Sequence, residues 1–173
     1  RFDTPLVDLL NVRWFIGMGA PAPGWIARFH PRPGDPPHAV HEAAWDAQLG
    51  VWENPRVLPR AYVVHHATVL ADDAAQARAL VHLDPRSDVI LDAAPAPPPA
   101  GSGMEPARIA ALERKRVVVA ADLATAGVLV LSDAWYPGWR VTVDGAPAPL
   151  WRADYALRAL ALPPGHHVVE FTF

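Results

Sequence analysis

The second half of the chain has the pattern of β-structure. From residue 107 onward, short apolar runs are separated by turn signals at intervals of about 8 to 12 residues, a spacing typical of antiparallel sandwiches and barrels. In the last run, every second residue from His167 to Phe173 falls on one face of a strand. Asp144-Gly145 indicates a tight hairpin, because both central residues of a type I′ turn need positive φ. The predicted strands cover residues 107–114, 116–122, 127–132, 139–143, 149–153, 156–162 and 166–173.

The first half mixes short strands, helical segments and proline-rich loops. Asp72 and Asp73 favour a helix N-terminus and precede apolar residues at helical spacing, which predicts a helix over residues 73–83. One or two helical turns are predicted over residues 5–10, with Asp3 or Thr4 as the N-cap. Residues 19–37 and 93–106 are rich in proline and glycine and are predicted to be loops. The predicted strands are 11–17, 25–29, 42–45, 49–53, 60–70 and 88–92.

Together these elements predict a mainly β fold. The expected architecture is an antiparallel, jelly-roll-like β-sandwich with one or two short helices, which are α+β elements of the N-terminal half. Residues 1–106 would supply N-terminal strands and one helix and would end in a Pro-rich linker at 93–106. Residues 107–173 would supply the sandwich strands, and both parts would form one compact domain.

Composition narrows the class of protein. Of the 173 residues, 51% are apolar and 19% are charged, which excludes an intrinsically disordered chain. A net charge of -3 gives no basic field of the kind that attracts nucleic acid. The absence of cysteine excludes disulfides, thiolate metal sites and cysteine nucleophiles. The apolar runs are far shorter than the roughly 18 residues of a membrane helix, and the lack of a signal-peptide pattern after Arg1 indicates a piece excised from a longer protein.

The first candidate site lies between two predicted strands. Exposed tryptophan and tyrosine rings can stack on the apolar faces of sugars, while neighbouring charged groups bond hydroxyls. This segment could therefore form a glycan or phospho-sugar subsite. Alternatively, Tyr136 to Trp139 is a type II turn, with proline and glycine at its centre, whose rings pack over a sandwich edge. The candidate residues are Asp133, Trp135, Tyr136, Trp139 and Arg140.

Two further candidates contain arginine. Arg152 and Tyr155, with Asp154 between two strands, could extend the first patch, or Arg152 could pair with an acidic neighbour. Arg56 and Arg60, close to Glu53, could clamp a phosphate, because guanidinium groups bind oxyanions bidentately. The prolines at positions 55 and 59 favour a rigid extended segment instead, with ion pairs between strands.

Catalytic and metal chemistry have little support in the sequence. The pairs at 65–66 and 166–167 place adjacent histidines on opposite faces of a strand. His38 and His41 lie in a proline-rich loop without the HExxH pattern. No serine lies in a G-x-S-x-G elbow, and no phosphate-binding glycine loop is present. No catalytic residue, metal site or cofactor is therefore predicted.

Three segments resemble a known family in its order along the chain. They are residues 129–145 (LVLSDAWYPGWRVTVDG) with the following 149–171, residues 53–62 (ENPRVLPRAY) and residues 9–14 (LLNVRW). They are similar to the C-terminal extracytoplasmic region of bacterial YfhO-like multi-pass membrane proteins, relatives of the GT-C glycosyltransferases. The resemblance implies a parent protein with many membrane helices and a domain outside the cytoplasmic membrane. It also implies sugar transfer from polyprenyl-phosphate carriers to envelope polymers, by a catalytic acid in a membrane loop that is absent here.

The predicted function follows from the resemblance. The domain would be a non-catalytic accessory domain that positions a glycan, or that packs on the membrane part and controls access to the lipid-linked donor. Its partners would be the membrane-embedded part of the same protein and a glycan or polyprenyl-phosphate sugar, with no nucleic acid. The alternatives are a stand-alone carbohydrate-binding module, a purely structural domain and, as the least favoured, an independent hydrolase.

Overall fold

A computed structural model describes residues 5–18, 20–29 and 49–173. The chain forms two compact units, Arg1–Val57 and Leu58–Phe173. Residues 106 and 107, where the two predicted parts of the chain meet, lie inside one strand. Neither helix in the described residues is long and apolar enough to cross a membrane.

The first unit contains a short helix and a three-stranded antiparallel sheet. Helix α1 covers Pro5–Leu9, and the strands are β1 (Trp14–Met18), β2 (Ile26–Phe29) and β3 (Leu49–Glu53), in the order β1-β3-β2. These elements confirm the corresponding sequence predictions. The predicted N-caps Asp3 and Thr4, the strand at 42–45 and most of the loop at 19–37 lie outside the described residues.

The second unit begins with strands on either side of a helix. The predicted strand over 60–70 is divided into β4 (Ala61–Val64) and β5 (His66–Val69), because β4 pairs with central strands and β5 pairs in parallel with β6 (Asp88–Leu91). Helix α2 (Asp73–Leu80) joins β5 to β6. As predicted, Asp72 is its N-cap: a carboxylate oxygen accepts a hydrogen bond from the Ala75 N–H at 2.8 Å. The helix ends at Leu80, three residues earlier than predicted.

The remaining strands keep the predicted order and include one strand, Ala146–Ala148, that was not predicted. They are β7 (Met104–Glu113), β8 (Arg116–Leu123), β9 (Gly127–Ala134), β10 (Arg140–Val143), β11 (Ala146–Ala148), β12 (Trp151–Ala153), β13 (Leu157–Leu162) and β14 (Gly165–Thr172). Within residues 58–173, eleven strands form one sheet in the order β11-β10-β14-β8-β7-β4-β9-β13-β12-β6-β5. The hairpin predicted at Asp144-Gly145 joins β10 to β11, with φ of 53° and 84° at the two residues.

The large sheet curls into a half-barrel because β7 belongs to both of its halves. Residues 104–106 of β7 pair with β4, and residues 107–113 pair with β8. The curl brings Val119 and Phe171 on one half against Leu129 and Leu160 on the other, and all four are fully buried. The mainly β class is confirmed. The jelly-roll-like sandwich stays a prediction, because the strands form one continuous sheet.

Candidate functional site

An open cleft lies where the buried interior of the curled sheet reaches the surface. Its volume is about 580 Å³, and its walls combine aromatic, aliphatic and charged side chains. The charged residues in the lining are Arg60, Glu113, Arg114, Asp133 and Arg158, and the aromatic residues are Tyr136 and Trp139. The first candidate segment therefore contributes three of its predicted residues to this cleft.

Asp133 joins two arginines at the floor of the cleft. Arg60 Nη2 donates a hydrogen bond to Asp133 Oδ1 at 2.5 Å, and Arg158 Nη2 lies 2.9 Å from Asp133 Oδ2. Asp133 continues the face of β9 that carries Leu129 and Leu131, and these leucines lie in the core. The ion pair is thus the charged end of an otherwise apolar interior row.

Arg158 is a buried cation. The residue is only 3% exposed, and its guanidinium carbon lies 3.8 Å from the centre of the Trp139 ring and 5.7 Å from that of Phe171. Its Nε and Nη1 atoms have no hydrogen-bond partner among the described residues. Burial lowers the pKa of Arg158, the charge of Asp133 raises it, and the nearby Arg60 lowers it further. The positive charge of Arg158 is therefore only partly compensated.

The aromatic wall of the cleft is built by a tight turn. Trp139 N–H donates to the Tyr136 carbonyl, and Gly138 has a φ of 111°, as expected at the third position of a type II turn. A side chain at Gly138 would come within 3.1 Å of the Phe173 ring. Phe173 packs near both rings, with its ring centre 5.4 Å from that of Trp139 and 6.4 Å from that of Tyr136. The type II turn of the structural alternative is present, and two of its rings, Tyr136 and Trp139, line the cleft.

A second, smaller cleft adjoins the first. Its volume is about 320 Å³, and it shares Arg114, Tyr136 and Trp139 with the larger cleft while adding Lys115 and Phe173. Aromatic rings and two further cations therefore lie next to the arginine pair on Asp133.

Two residues of the first candidate segment do not line either cleft. The Trp135 side chain is partly buried, and its backbone N–H donates to the Ala156 carbonyl at 2.7 Å. Arg140 is exposed at the start of β10. Alternation along β10 places Arg140 on the face opposite Val141, which packs in the core. The structure thus separates Arg140 from the cleft.

The second candidate forms an ion pair away from the cleft. Arg152 Nη2 contacts the carboxylate of Asp73 at the start of α2, and that contact raises the pKa of Arg152. Its guanidinium lies 5.8 Å from the centre of the Tyr155 ring. Asp154 is buried, and one carboxylate oxygen accepts a hydrogen bond from the Ile90 N–H at 2.8 Å. The bonding of Arg152 corresponds to the ion-pair alternative.

The third candidate is distributed over three separate ion-pair groups. Glu53 accepts hydrogen bonds from Arg13 at 2.9 Å and from Arg28 at 2.5 Å, and these contacts hold its pKa below the usual range. Arg56 pairs with Asp8 at 3.2 Å. Of the three predicted residues, Arg60 alone lines the large cleft.

Sequence reasoning missed Arg114, Arg158 and Phe173. The signal for Arg158 was present in residues 157–162 (LRALAL), because it shares a strand face with Leu160 and Leu162. A charged residue on a core face needs a buried partner.

The histidines of the described residues make ordinary structural contacts. His65 is buried between the Ala126 carbonyl at 3.0 Å and Glu105 at 2.9 Å, and His167 contacts Asp144 at 2.8 Å. No group of three metal-ligating side chains occurs in the part of the chain that the structure describes. His38 and His41 lie outside that part.

The arrangement is suited to binding a ligand with both apolar and charged features. Aromatic faces bind the C–H faces of sugars, and guanidinium groups bind hydroxyls and oxyanions. Both carboxylates of the large cleft are already in ion pairs, Asp133 with two arginines and Glu113 with Arg116 at 3.4 Å. Comparisons with protein-family models, curated proteins and solved structures found no match.

Proposed function

We propose that this chain is a non-catalytic glycan-recognition domain that binds a sugar in the cleft described above. One observation carries the proposal: an exposed tyrosine ring, a half-buried tryptophan ring and a pair of arginines on one aspartate line the same cleft of about 580 Å³. A purely structural domain would not require a cleft that combines these groups. A sugar ring fits this combination, because it offers an apolar face and a polar edge to the protein.

The exposure of the rings supports ligand contact. Tyr136 is 64% exposed and Phe173 is 54% exposed, although both are large and lie beside a packed interior. Trp139 packs on the core with one side and lines the cleft with the other. Rings that are fixed on one side and open on the other lose little conformational entropy when a ligand stacks on them.

The charged groups of the cleft favour binding over catalysis. A hydrolytic site needs a free carboxylate or a base next to a nucleophile. Here Asp133 is held by two guanidinium groups, and Glu113 is engaged by Arg116. The ion pairs of these carboxylates hold arginine side chains in place beside the cleft.

The larger setting of the domain is also part of the proposal. On the sequence resemblance, we infer an accessory domain of a YfhO-like, glycosyltransferase-related membrane protein, at the extracytoplasmic face of the bacterial cytoplasmic membrane. The parent would transfer sugars from lipid carriers, and its membrane-embedded part would be the partner of this domain. A jelly-roll-like organisation of the curled sheet belongs to the same proposal. A stand-alone carbohydrate-binding module would use the cleft in the same way.

Binding is tested by titration of the chain with envelope glycans and short-chain polyprenyl-phosphate sugars, followed by tryptophan fluorescence and NMR shifts. Tyr136→Ala removes an exposed cleft ring and should weaken binding about two- to tenfold, the effect expected from losing one aromatic stacking contact. Tyr155→Ala removes an exposed ring outside both clefts and is the matched control. Absence of binding to every compound, or equal loss in both variants, would overturn the proposed cleft function.

The location is tested separately in cells that express the parent protein. Because this chain has no cysteine, Ser102→Cys in the exposed loop before β7 adds a single reactive thiol to the domain. A membrane-impermeant maleimide should label this variant in intact cells more strongly than it labels the parent protein without the substitution. Labelling that requires cell lysis would place the domain in the cytoplasm and contradict the proposal.

A further inference from the structure

We propose that the glycan bound by this cleft carries an acidic group, a carboxylate or a phosphate, that lies against Arg60 and Arg114. The sugar ring would stack on the wall formed by Tyr136, Trp139 and Phe173. This inference rests on the proposed function and adds the chemical class of the ligand.

The cleft has more positive than negative charge. Three arginines and two carboxylates line it, and both carboxylates are already engaged. Asp133 is shared between Arg60 and Arg158, whereas Glu113 pairs with Arg116, outside the lining. Arg114 makes no ion pair with any residue that the structure describes. The cleft therefore remains cationic on a chain whose net charge is -3.

The neighbouring cleft adds to this excess of positive charge. Lys115 is exposed, lines the smaller cleft and likewise has no ion pair among the described residues. Arg114 lines both clefts. Two adjacent cations without an ion pair in the described part of the chain lie beside aromatic rings, and they provide an electrostatic attraction that a neutral sugar would not use.

Arg158 supplies a fixed positive charge behind the cleft surface. It is 3% exposed, and a single carboxylate oxygen contacts its guanidinium, while its Nε and Nη1 have no partner among the described residues. Buried guanidinium groups normally bond most of their donors. Burial removes this guanidinium from water, and an anion bound in the cleft would stabilise its positive charge.

The geometry orients the ligand. Arg114, Tyr136 and Trp139 line both clefts, so the cationic and aromatic surfaces are continuous. A planar guanidinium matches carboxylate and phosphate oxygens through two parallel hydrogen bonds. Arg60 and Arg114 are exposed enough to make such bonds, which places the acidic substituent at their end and the ring at the aromatic end.

The test compares four probes: glucose, glucuronate, glucose 1-phosphate and inorganic phosphate. We expect at least one acidic sugar to bind about tenfold more tightly than glucose, as one additional charge-assisted hydrogen bond would give. We also expect affinity for that acidic sugar to fall with added salt. The comparison of glucuronate with glucose 1-phosphate identifies which oxyanion the site prefers.

Arg114→Gln is the decisive variant, because Arg114 is exposed and unpaired within the described residues, so its loss should not perturb folding. It should reduce acidic-sugar binding about five- to tenfold and leave glucose binding unchanged. Arg108→Gln removes the same charge from an exposed position on β7 outside both clefts and should change neither affinity.

The outcomes separate the two proposals. Equal binding of glucose and acidic sugars, or no effect of Arg114→Gln, would overturn this inference while the glycan-binding function stands. Inorganic phosphate that binds as tightly as glucose 1-phosphate would also overturn it, because the ring would contribute nothing. If no sugar binds in this panel or in the larger glycan panel, the proposed function fails and the inference fails with it.

Discussion

Asp154 should make the stability of the second unit depend on pH near neutrality. The residue is 3% exposed, its Oδ1 accepts a hydrogen bond from the Ile90 N–H, and its Oδ2 has no partner among the described residues. Burial raises the pKa of Asp154 from 3.8 to about 7, against the opposing effect of the Ile90 bond. Tyr62 adds no charge nearby, because burial first and the charge of Asp154 second raise the pKa of its hydroxyl.

The size of the effect follows from proton linkage. A carboxyl with a raised pKa in the folded protein binds its proton more tightly than the unfolded chain does. Its contribution is therefore complete below the ordinary pKa of 3.8 and is lost as pH rises through about 7. At 1.36 kcal/mol per pKa unit, the free energy of unfolding should fall by roughly 2.5 kcal/mol between about pH 5 and about pH 8.

The substitution Asp154→Asn should remove this dependence. Asparagine keeps an oxygen that can accept from the Ile90 N–H, carries no charge, and tolerates the φ of 48° at this position. The free energy of unfolding of the variant should therefore stay nearly constant between about pH 5 and about pH 8, so that its advantage over the wild type grows by roughly 2.5 kcal/mol across this range. Glu113→Gln, which removes an exposed carboxylate, is the matched control.

The assay is urea unfolding at several pH values between about 5 and 8. Methyl NMR signals of Val63 and Leu129, which lie in the core of the large sheet, report this unit without interference from the first. Parallel pH profiles for the wild type and Asp154→Asn would refute the reasoning, because Asp154 would then titrate no differently in the folded and unfolded chains.

Two further predictions concern packing and the buried ion pair. Gly127→Ala should lower the free energy of unfolding by about 1–3 kcal/mol, because the new Cβ would lie 2.5 Å from a methyl carbon of Val63. Urea unfolding measures this loss, and a value below about 0.5 kcal/mol would contradict the packing argument. Asp133→Ala should lower the free energy of unfolding by about 3 kcal/mol, because Arg158 would remain buried without its carboxylate partner. Arg158→Met should change the free energy of unfolding by less than about 1 kcal/mol, because Asp133 keeps its ion pair with Arg60. Equal losses in these two variants by thermal unfolding would argue against the burial cost assigned to Arg158.

Local signals in the sequence predicted much of the fold. The Asp144-Gly145 turn and the alternation in β14 depend on neighbouring residues, and both are present. The continuity of the large sheet depends instead on how β7 pairs on both of its edges. Such pairing joins distant residues, so short-range patterns do not determine whether strands form one curled sheet or two separate sheets.

For the candidate site too, residues close in sequence were predictable and contacts between distant strands were not. Tyr136 and Trp139 were found because one tight turn presents both rings. The partners of Asp133 were not found, since Arg60 and Arg158 reach it from strands that are distant in sequence. The sequence placed Arg60 with Arg56, whereas Arg56 pairs with Asp8. Helical or strand spacing cannot predict contacts of this kind.

The position of β4 in the sheet has a consequence for how the chain folds. Residues 61–64 are completely buried between β7 and β9, whose pairing residues are 104–106 and 128–131. During synthesis, β4 therefore leaves the ribosome before either neighbouring strand has been made. The apolar segment Ala61–Val64 gains its first neighbour, β7, only after about 40 further residues have been added, and its second, β9, after about 70, at roughly 5–20 residues per second. Folding of the second unit is thus expected to be slow and completed late, with β4 as the segment most exposed to aggregation or to chaperone binding.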